Sequence, residues 1–324
     1  MSQRDLAAHS SGVGELVDRA RDHDPRALAR LISYVEDDAP ALREVMERTS
    51  PHVGQAHIVG ITGSPGVGKS TTTSALVSSY RDREQRVAVL AVDPSSPFSG
   101  GALLGDRIRM QEHATDGGVF IRSMASRGHL GGLAWSTPQA LRVMDAAGFD
   151  VIIVETVGVG QSEVEVAGTA DTTVVLLAPG MGDGIQAAKA GILEVGDVFV
   201  VNKSDRDGAD ATVRELRHMI NLAERVEGDW SPPVLQSVAS RGDGIDELAG
   251  AIDAHLAWLV SSGTLAQRRR RRAALEVEAI TIARLRLLVS DVHGGDQLDT
   301  LAARVAAGEL DPYAAADLLV GGLT

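Results

Sequence analysis

Eight residues, Gly63-Ser64-Pro65-Gly66-Val67-Gly68-Lys69-Ser70, lie between an apolar run, His57 to Thr62, and a helix-like run, Ser70 to Arg83. They fit G-x-x-x-x-G-K-[ST], the pattern of a loop that holds the phosphates of a nucleoside triphosphate. The glycines allow a tight loop whose backbone N–H groups point inward, and the helix that follows adds its positive N-terminus. Lys69 then reaches the β- and γ-phosphates. Ser70, with Thr71 beside it, supplies a hydroxyl to Mg²⁺.

Far downstream, Asn202-Lys203-Ser204-Asp205 follows an apolar run ending at Val201. This is the N-K-x-D pattern of guanine readers. An aspartate in the plane of the base accepts from both N1–H and the 2-amino group of guanine, and adenine offers neither donor there. A site built on such donors rejects an analogue lacking them by about 10⁴ or more, because its acceptors are left unpaired. Asn202 braces the loop in this reading and the Lys203 stem covers the base. The run Ser237-Val238-Ala239-Ser240 stands where such proteins carry Ser-Ala, whose backbone N–H meets guanine O6; Val238 takes the place of the serine.

Three further stretches carry acids onto the same rim. Val151 to Glu155, followed by Thr156-Val157-Gly158, reads as the strand and loop that sense a γ-phosphate. Glu155 addresses Mg²⁺ through water or orients the attacking water, and Gly158 offers its N–H to the phosphate. No glutamine follows Gly158 directly, although Gln161 is near, so intrinsic hydrolysis is expected to be slow and accelerated by a partner. Asp93 opens a Ser/Pro/Gly-rich loop running to Asp106-Arg107, where carboxylates hold metal waters or belong to an exposed connection. Pro179 to Gly184, with Asp183 and then Lys189, is a second acidic loop with the makings of a switch.

The elements that must position these groups can be read from hydrophobic spacing. Short apolar runs at Ile58–Thr62, Val87–Val92, Val119–Met124, Val151–Glu155, Thr173–Ala178, Val198–Val201 and Val234–Val238 alternate with helical stretches. Runs apolar on both faces suit buried parallel strands, so residues 51–262 are expected to form a doubly wound, mostly parallel α/β sheet of the phosphate-loop type. Leu16, Val17, Ala20, Leu28, Leu31, Ile32 and Val35 recur at helical spacing and mark residues 1–50 as a helical extension. In residues 263–324, Leu265 to Val289 reads as a long Arg-rich helix, broken at Ser290 to Asp296 and followed by two shorter ones, about Leu298–Ala307 and Pro312–Leu319. Its apolar stripe needs either a partner subunit or the chain's own core. Arg268 to Arg272 form a solvated face or meet an acidic protein.

Composition narrows the chemistry. The 324 residues carry a formal charge of −13, are 44% apolar, 23% charged and 3% aromatic, and include no cysteine. That excludes disulfides and thiolate metal sites, and argues against stacking on nucleic-acid bases or gripping a phosphate backbone. Nine scattered histidines make no zinc or nickel site. With no apolar run near the ~18 residues that span a bilayer and no apolar leader, the reading is a cytoplasmic protein without membrane contact.

Together these motifs closely resemble the methylmalonyl-CoA mutase-associated GTPases, bacterial relatives of the human protein of cobalamin type A methylmalonic aciduria, also described as arginine/ornithine transport ATPases or kinases. The likeness lies in Gly63 to Thr71, Ala91-Val92-Asp93-Pro94-Ser95-Ser96, Gly105-Asp106-Arg107, Glu155-Thr156-Val157-Gly158-Val159-Gly160-Gln161 and Asn202 to Asp205, and runs from about residue 15 to the end. The resemblance implies a homodimeric GTPase chaperone that gates cofactor delivery to an adenosylcobalamin-dependent acyl-CoA mutase, protects it, and is stimulated by it. It implies Mg²⁺ among Ser70, Asp93, Asp106 and Glu155, a third switch containing Asp183 and Lys189, and a C-terminal arm that makes the dimer. Val238 departs from the usual pattern. Two other classes share parts of this signature, a nickel-inserting GTPase and a transport-coupled ATPase or kinase; the first lacks its Cys or His cluster here, and N-K-x-D speaks against ATP for the second.

Overall fold

Seven apolar runs become seven strands, β1 (His57–Thr62), β2 (Val87–Asp93), β3 (Val119–Ala125), β4 (Val151–Glu155), β5 (Thr172–Leu177), β6 (Val198–Asn202) and β7 (Val234–Ser237). They form one sheet in the order β3-β2-β4-β1-β5-β6-β7, and every pair in it is parallel. The computed structural model describes residues 3–93, 111–113, 115–125, 136–156, 162–180, 193–222 and 228–321, and of 3–11, 93, 111, 162–165, 193, 286–297, 320 and 321 the backbone alone. The helices are α1 (Gln3–Arg21), α2 (Pro25–Glu36), α3 (Leu42–Thr49), α4 (Lys69–Asp82), α5 (Thr137–Ala146), α6 (Ser162–Thr169), α7 (Ala209–Leu222), α8 (Ile245–Ser261), α9 (Thr264–Ala306) and α10 (Pro312–Gly321). Among the described residues, none of them is long and apolar enough to cross a membrane.

Successive strand residues face opposite layers, as the two-residue repeat requires. Ala88, Leu90, Ile152 and Val154 pack into one layer, while Val87, Val89, Val151 and Ile153 face the other with Leu76, Val77 and Tyr80 of α4 and Leu248 and Ile252 of α8. A third group, Val175, Phe199 and Val201 with Val213 and Leu216 of α7, closes the β5–β6 end. The first layer also contains Val17, Leu28, Leu31, Ile32 and Val45, so the N-terminal helices share their core with β2, β3, β4 and α5. Arg122 of β3 and Glu36 of α2 form an ion pair across this contact, with side chains only 19% and 13% exposed.

Buried aspartates tie down the amino-terminal end of the sheet. Asp145 accepts from the N–H groups of Gly54, Gln55 and Ala56 at 2.5, 3.1 and 2.9 Å. Asp171 accepts from Ile58 N–H at 3.2 Å and Asp197 from Thr173 N–H at 2.8 Å. These bonds satisfy backbone donors that the ladder does not reach.

The chain divides into two compact units, Met1–Ala266 and Gln267–Thr324. The break expected at Ser290 to Asp296 is absent, and α9 runs unbroken for 43 residues. Gly294-Gly295 costs helix about 1 kcal/mol per glycine but does not forbid it, and strong helix formers on both sides propagate through. α9 ends at Ala306, and Gly308 just beyond it has φ +74°. The Asp311 carboxylate then caps α10 by accepting from Tyr313 and Ala314 N–H at 2.9 and 3.1 Å. Leu301 and Ala315 are buried, whereas Leu275, Val277, Ile282, Leu285 and Leu298 are exposed along α9.

Candidate functional site

The loop 63–68 leaves the carboxyl end of β1, the central strand flanked by β4 and β5, and turns into α4. Such a crevice beside a central strand is where open α/β sheets place ligands. Gly63 has φ +141° and Gly68 has φ +102°, a region that favours glycine. A Cβ on Gly63 would run into the Leu176 carbonyl oxygen, and one on Gly68 into the Asn202 amide. Val67 is buried in the core and fastens the loop from below, while Pro65 and Gly66 are exposed. The result is a backbone cradle at a helix N-terminus, suited to an anion.

Lys69 lies across this cradle, 8% exposed, its Nζ donating to the carbonyls of Gly63 at 2.9 Å and Ser64 at 3.2 Å. An ammonium has three donors, so it can keep a loop carbonyl while directing another N–H at a phosphate. Ser70 Oγ donates to Glu155 Oε1 at 2.6 Å, and Thr73 Oγ1 donates to Oε2 at 2.9 Å. Glu155 closes β4 opposite Ile61 of β1, which brings its carboxylate onto the first turn of α4. Thr73 is absent from the residues singled out by motif. Its position three residues after Ser70, in the hydroxyl run Ser70-Thr71-Thr72-Thr73, is the signal that could have found it.

Asn202 ends β6 and joins three loops. Its Nδ2 donates to the Val67 carbonyl at 2.8 Å, and its Oδ1 accepts from Ser237 Oγ and Ala239 N–H, each at 3.1 Å. Lys203, at φ +57°, reaches back to the Gly66 carbonyl at 2.5 Å, so the N-K-x-D loop holds the phosphate loop at two points. Asp205 lies on the exposed rim, its Oδ2 accepting from Arg241 Nη2 at 3.0 Å. Arg241 follows Ser240 directly and carries no motif of its own. The backbone N–H of Val238 donates to the Asp243 carbonyl at 3.0 Å, so the donor expected at that position is already engaged. Ser240 is exposed beside it.

The remaining residues singled out in the sequence are placed as follows. Thr71 is exposed on the first turn of α4. Asp93 is the last residue of β2, in register with Ala125 of β3, and its backbone alone is described. Asp106, Gly158, Asp183 and Lys189 lie outside the described residues. The structure therefore brings together the phosphate loop, Lys69, Ser70, Glu155, the N-K-x-D loop and residues 237–241 at one end of the sheet. Among the described residues, no three His, Asp or Glu side chains gather as a metal site by themselves.

Comparison with known proteins agrees with this arrangement. The family model described as methylmalonyl-CoA mutase-associated GTPase MeaB matches residues 28–293. A protein of Pyrococcus abyssi described as a candidate GTPase is 48% identical, over 96% of this chain and 98% of its own. The GTPase ArgK of Escherichia coli is 39% identical over 81% of each. The mitochondrial methylmalonic aciduria type A homolog of Mus musculus is 37% identical over 81% of this chain and 64% of its own length. Among solved structures, one described as LAO/AO transport system kinase superposes with a TM-score of 0.71 at 28% identity, covering 96% of this chain and 97% of that one. The parallel sheet with its phosphate loop, the N-K-x-D hub at Asn202 and the match over residues 28–293 lead to one assignment: the chain belongs to the methylmalonyl-CoA mutase-associated GTPase (MeaB) family.

Proposed function

We propose that this protein binds GTP with Mg²⁺, hydrolyses it slowly, and uses the cycle to chaperone an adenosylcobalamin-dependent acyl-CoA mutase. The observation that carries the GTP reading is the Asn202 hub, whose side chain bonds the phosphate loop and the 237–239 segment at once. Phosphate binding and base reading are thereby one rigid unit, and Asp205 stands on its rim to accept from guanine N1–H and the 2-amino group. With the Val238 and Ala239 N–H groups engaged, Ser240 is the backbone position of this run left to meet guanine O6.

The oxygen donors of Ser70 and Glu155, hard ligands beside an anion cradle, fit Mg²⁺ rather than a soft metal. Ser70 would hold it directly, with Asp93, Asp106 and Glu155 around it. Bound there, Mg²⁺ neutralises charge on the β- and γ-phosphates. Lys69 binds the same phosphate oxygens, the loop N–H groups orient them, and Gly158 offers its N–H to the γ-phosphate. This is catalysis by positioning and preorganised electrostatics. With no glutamine directly after Gly158, unassisted turnover is expected to be slow, on the order of 10⁻⁴ to 10⁻² s⁻¹.

The chaperone reading rests on the mutase association in the family's name and on the mouse relative's name. In it, Asp183 and Lys189 couple the nucleotide to the mutase, and residues 263–324 join two copies of the chain. The test is steady-state hydrolysis of GTP and ATP, with and without the adenosylcobalamin-dependent mutase of the same organism. GTP-selective turnover that rises with mutase supports both parts of the reading. Stimulation absent for every such mutase refutes the chaperone role and leaves the GTPase standing. The transport system kinase named among the similar structures favours a second reading, a transport-coupled kinase, and turnover of ATP ahead of GTP would select it.

A further inference from the structure

Glu155 is one methylene longer than an aspartate would be in its place, and the extra bond gives its carboxylate a further torsion to fix. The structure fixes it with two hydroxyls, one for each oxygen. Ser70 Oγ holds Oε1 at 2.6 Å and Thr73 Oγ1 holds Oε2 at 2.9 Å. All three side chains are buried, Glu155 at 4%, Ser70 at 6% and Thr73 at 0% exposure. Ser70 and Thr73 are three residues apart, so both face the end of β4.

Helical threonines usually bond back to the carbonyl four residues earlier. Thr72 does so, its Oγ1 meeting the Gly68 carbonyl at 3.0 Å. Thr73 turns its hydroxyl to Glu155 instead. We infer that Thr73 is a positioning residue for Glu155, one that locks the longer carboxylate in place for the Mg²⁺-nucleotide site. The inference rests on the Mg²⁺-GTP reading of the site. In that reading Ser70 also serves the metal, whereas the Thr73 hydroxyl, set one turn further from the loop, has Glu155 as its hydrogen-bond partner among the described residues.

The experiment compares the full-length protein with Thr73→Val, Thr73→Ser, Thr73→Cys, Glu155→Gln and Glu155→Asp. The readouts are the Mg²⁺ concentration that half-suppresses release of a fluorescent GDP analogue, and kcat and KM for GTP. Losing a group that orients a metal-site residue typically costs 10- to 100-fold, so Thr73→Val is expected to raise the Mg²⁺ half-point about tenfold. kcat falls with it while KM for GTP stays within about twofold, and Thr73→Ser recovers most of the loss. Thr73→Cys has nearly the size of the serine variant and only a weak donor, so it follows Thr73→Val and keeps the comparison open if valine prevents folding. In Glu155→Asp, whose shorter arm leaves Thr73 behind, Thr73→Val adds less than about twofold to the half-point, because coupled sites do not add. A Mg²⁺ half-point unchanged in Thr73→Val or Thr73→Cys, or a full tenfold loss persisting in the Glu155→Asp background, overturns the inference. An unchanged half-point in Glu155→Gln overturns the Mg²⁺ reading beneath it instead.

Discussion

Replacing Asn202 with alanine tests whether the phosphate loop and the base-reading loops act as one unit. The side chain is 3% exposed and makes three hydrogen bonds, to Val67 O at 2.8 Å and from Ser237 Oγ and Ala239 N–H at 3.1 Å. Ser237 can rotate its hydroxyl toward another acceptor, but the Val67 carbonyl and the Ala239 N–H belong to buried residues and cannot move without the backbone. An unsatisfied buried group costs about 1–3 kcal/mol, so two give about 2–6 kcal/mol. That is a large part of the about 5–15 kcal/mol by which domains are stable. Gly68 has φ +102° and packs against the Asn202 amide, so truncation also frees the loop where it turns into α4. Urea unfolding should place Asn202→Ala about 4 kcal/mol below the parent, with Ser237→Ala, which removes one neutral bond, only about 1 kcal/mol below. GDP affinity, read by fluorescence titration, should fall at least about tenfold in Asn202→Ala, the equivalent of about 1.4 kcal/mol. Destabilisation under about 1 kcal/mol together with unchanged GDP affinity would refute the hub, since neither neighbour would then depend on it.

Other outcomes follow from named contacts. Asp145→Ala removes the acceptor of three N–H groups at the foot of β1 and should cost about 3 kcal/mol or more in urea unfolding, with GDP affinity unaltered. Glu36→Ala leaves Arg122 uncompensated between α2 and β3, with an expected loss of about 3–5 kcal/mol, and a loss near zero would show that the N-terminal helices dock independently of that pair. Arg241→Ala breaks the exposed pair with Asp205 and should change stability by less than about 1 kcal/mol, whereas Asp205→Asn should exchange preference for GDP for xanthosine diphosphate, whose 2-oxo group needs a donor. The hydrogen bond from Arg81, with another from Gly118 N–H, holds the Asp116 carboxyl below its usual range. Its folded pKa is thus below its unfolded one, so its stabilisation is present above about pH 4 and disappears as pH falls through the folded value. Asp116→Asn should flatten the acid limb of a stability–pH curve in that window, and an unchanged limb would assign acid sensitivity elsewhere.

The strands were legible because each is a short apolar run, the five inner ones buried on both faces, and the structure starts or ends them within a residue or two of those runs. Val198 to Val201 and Val151 to Glu155 need no partner information to be recognised, since burial in a parallel sheet writes itself into consecutive residues. The long helix was misread at Gly294-Gly295 because a local propensity was weighed without the helix on either side of it. The N-terminal helices were legible as helices from their spacing, but not their place in the core. Spacing says which face is apolar, and the structure alone says that Leu28, Leu31 and Ile32 share a layer with Leu90 and Ile152.

The site divides along the same physical line. Groups brought together by a single loop, such as Gly63 to Ser70, are legible because their spacing is fixed by the chain itself. Groups brought together by the sheet are not. Thr73 and Glu155 are 82 residues apart, Asn202 and Val67 135, and Asp145 and Gly54 91, and each pair meets only because β1, β4 and β6 lie where the strand order puts them. Motif patterns partly bridge that gap for Asn202, whose loop is recognisable on its own. They do nothing for Thr73 or Arg241, which look like an ordinary helical threonine and a surface arginine until the acid each one holds is in view. A residue whose task is to hold another functional residue across the fold leaves little trace in its own neighbourhood. The acid is then the place to start, because a buried carboxylate must have its oxygens satisfied. Glu155, buried at the end of β4, has two oxygens to satisfy, and the hydroxyls of Ser70 and Thr73 on α4 are the donors the fold brings to them.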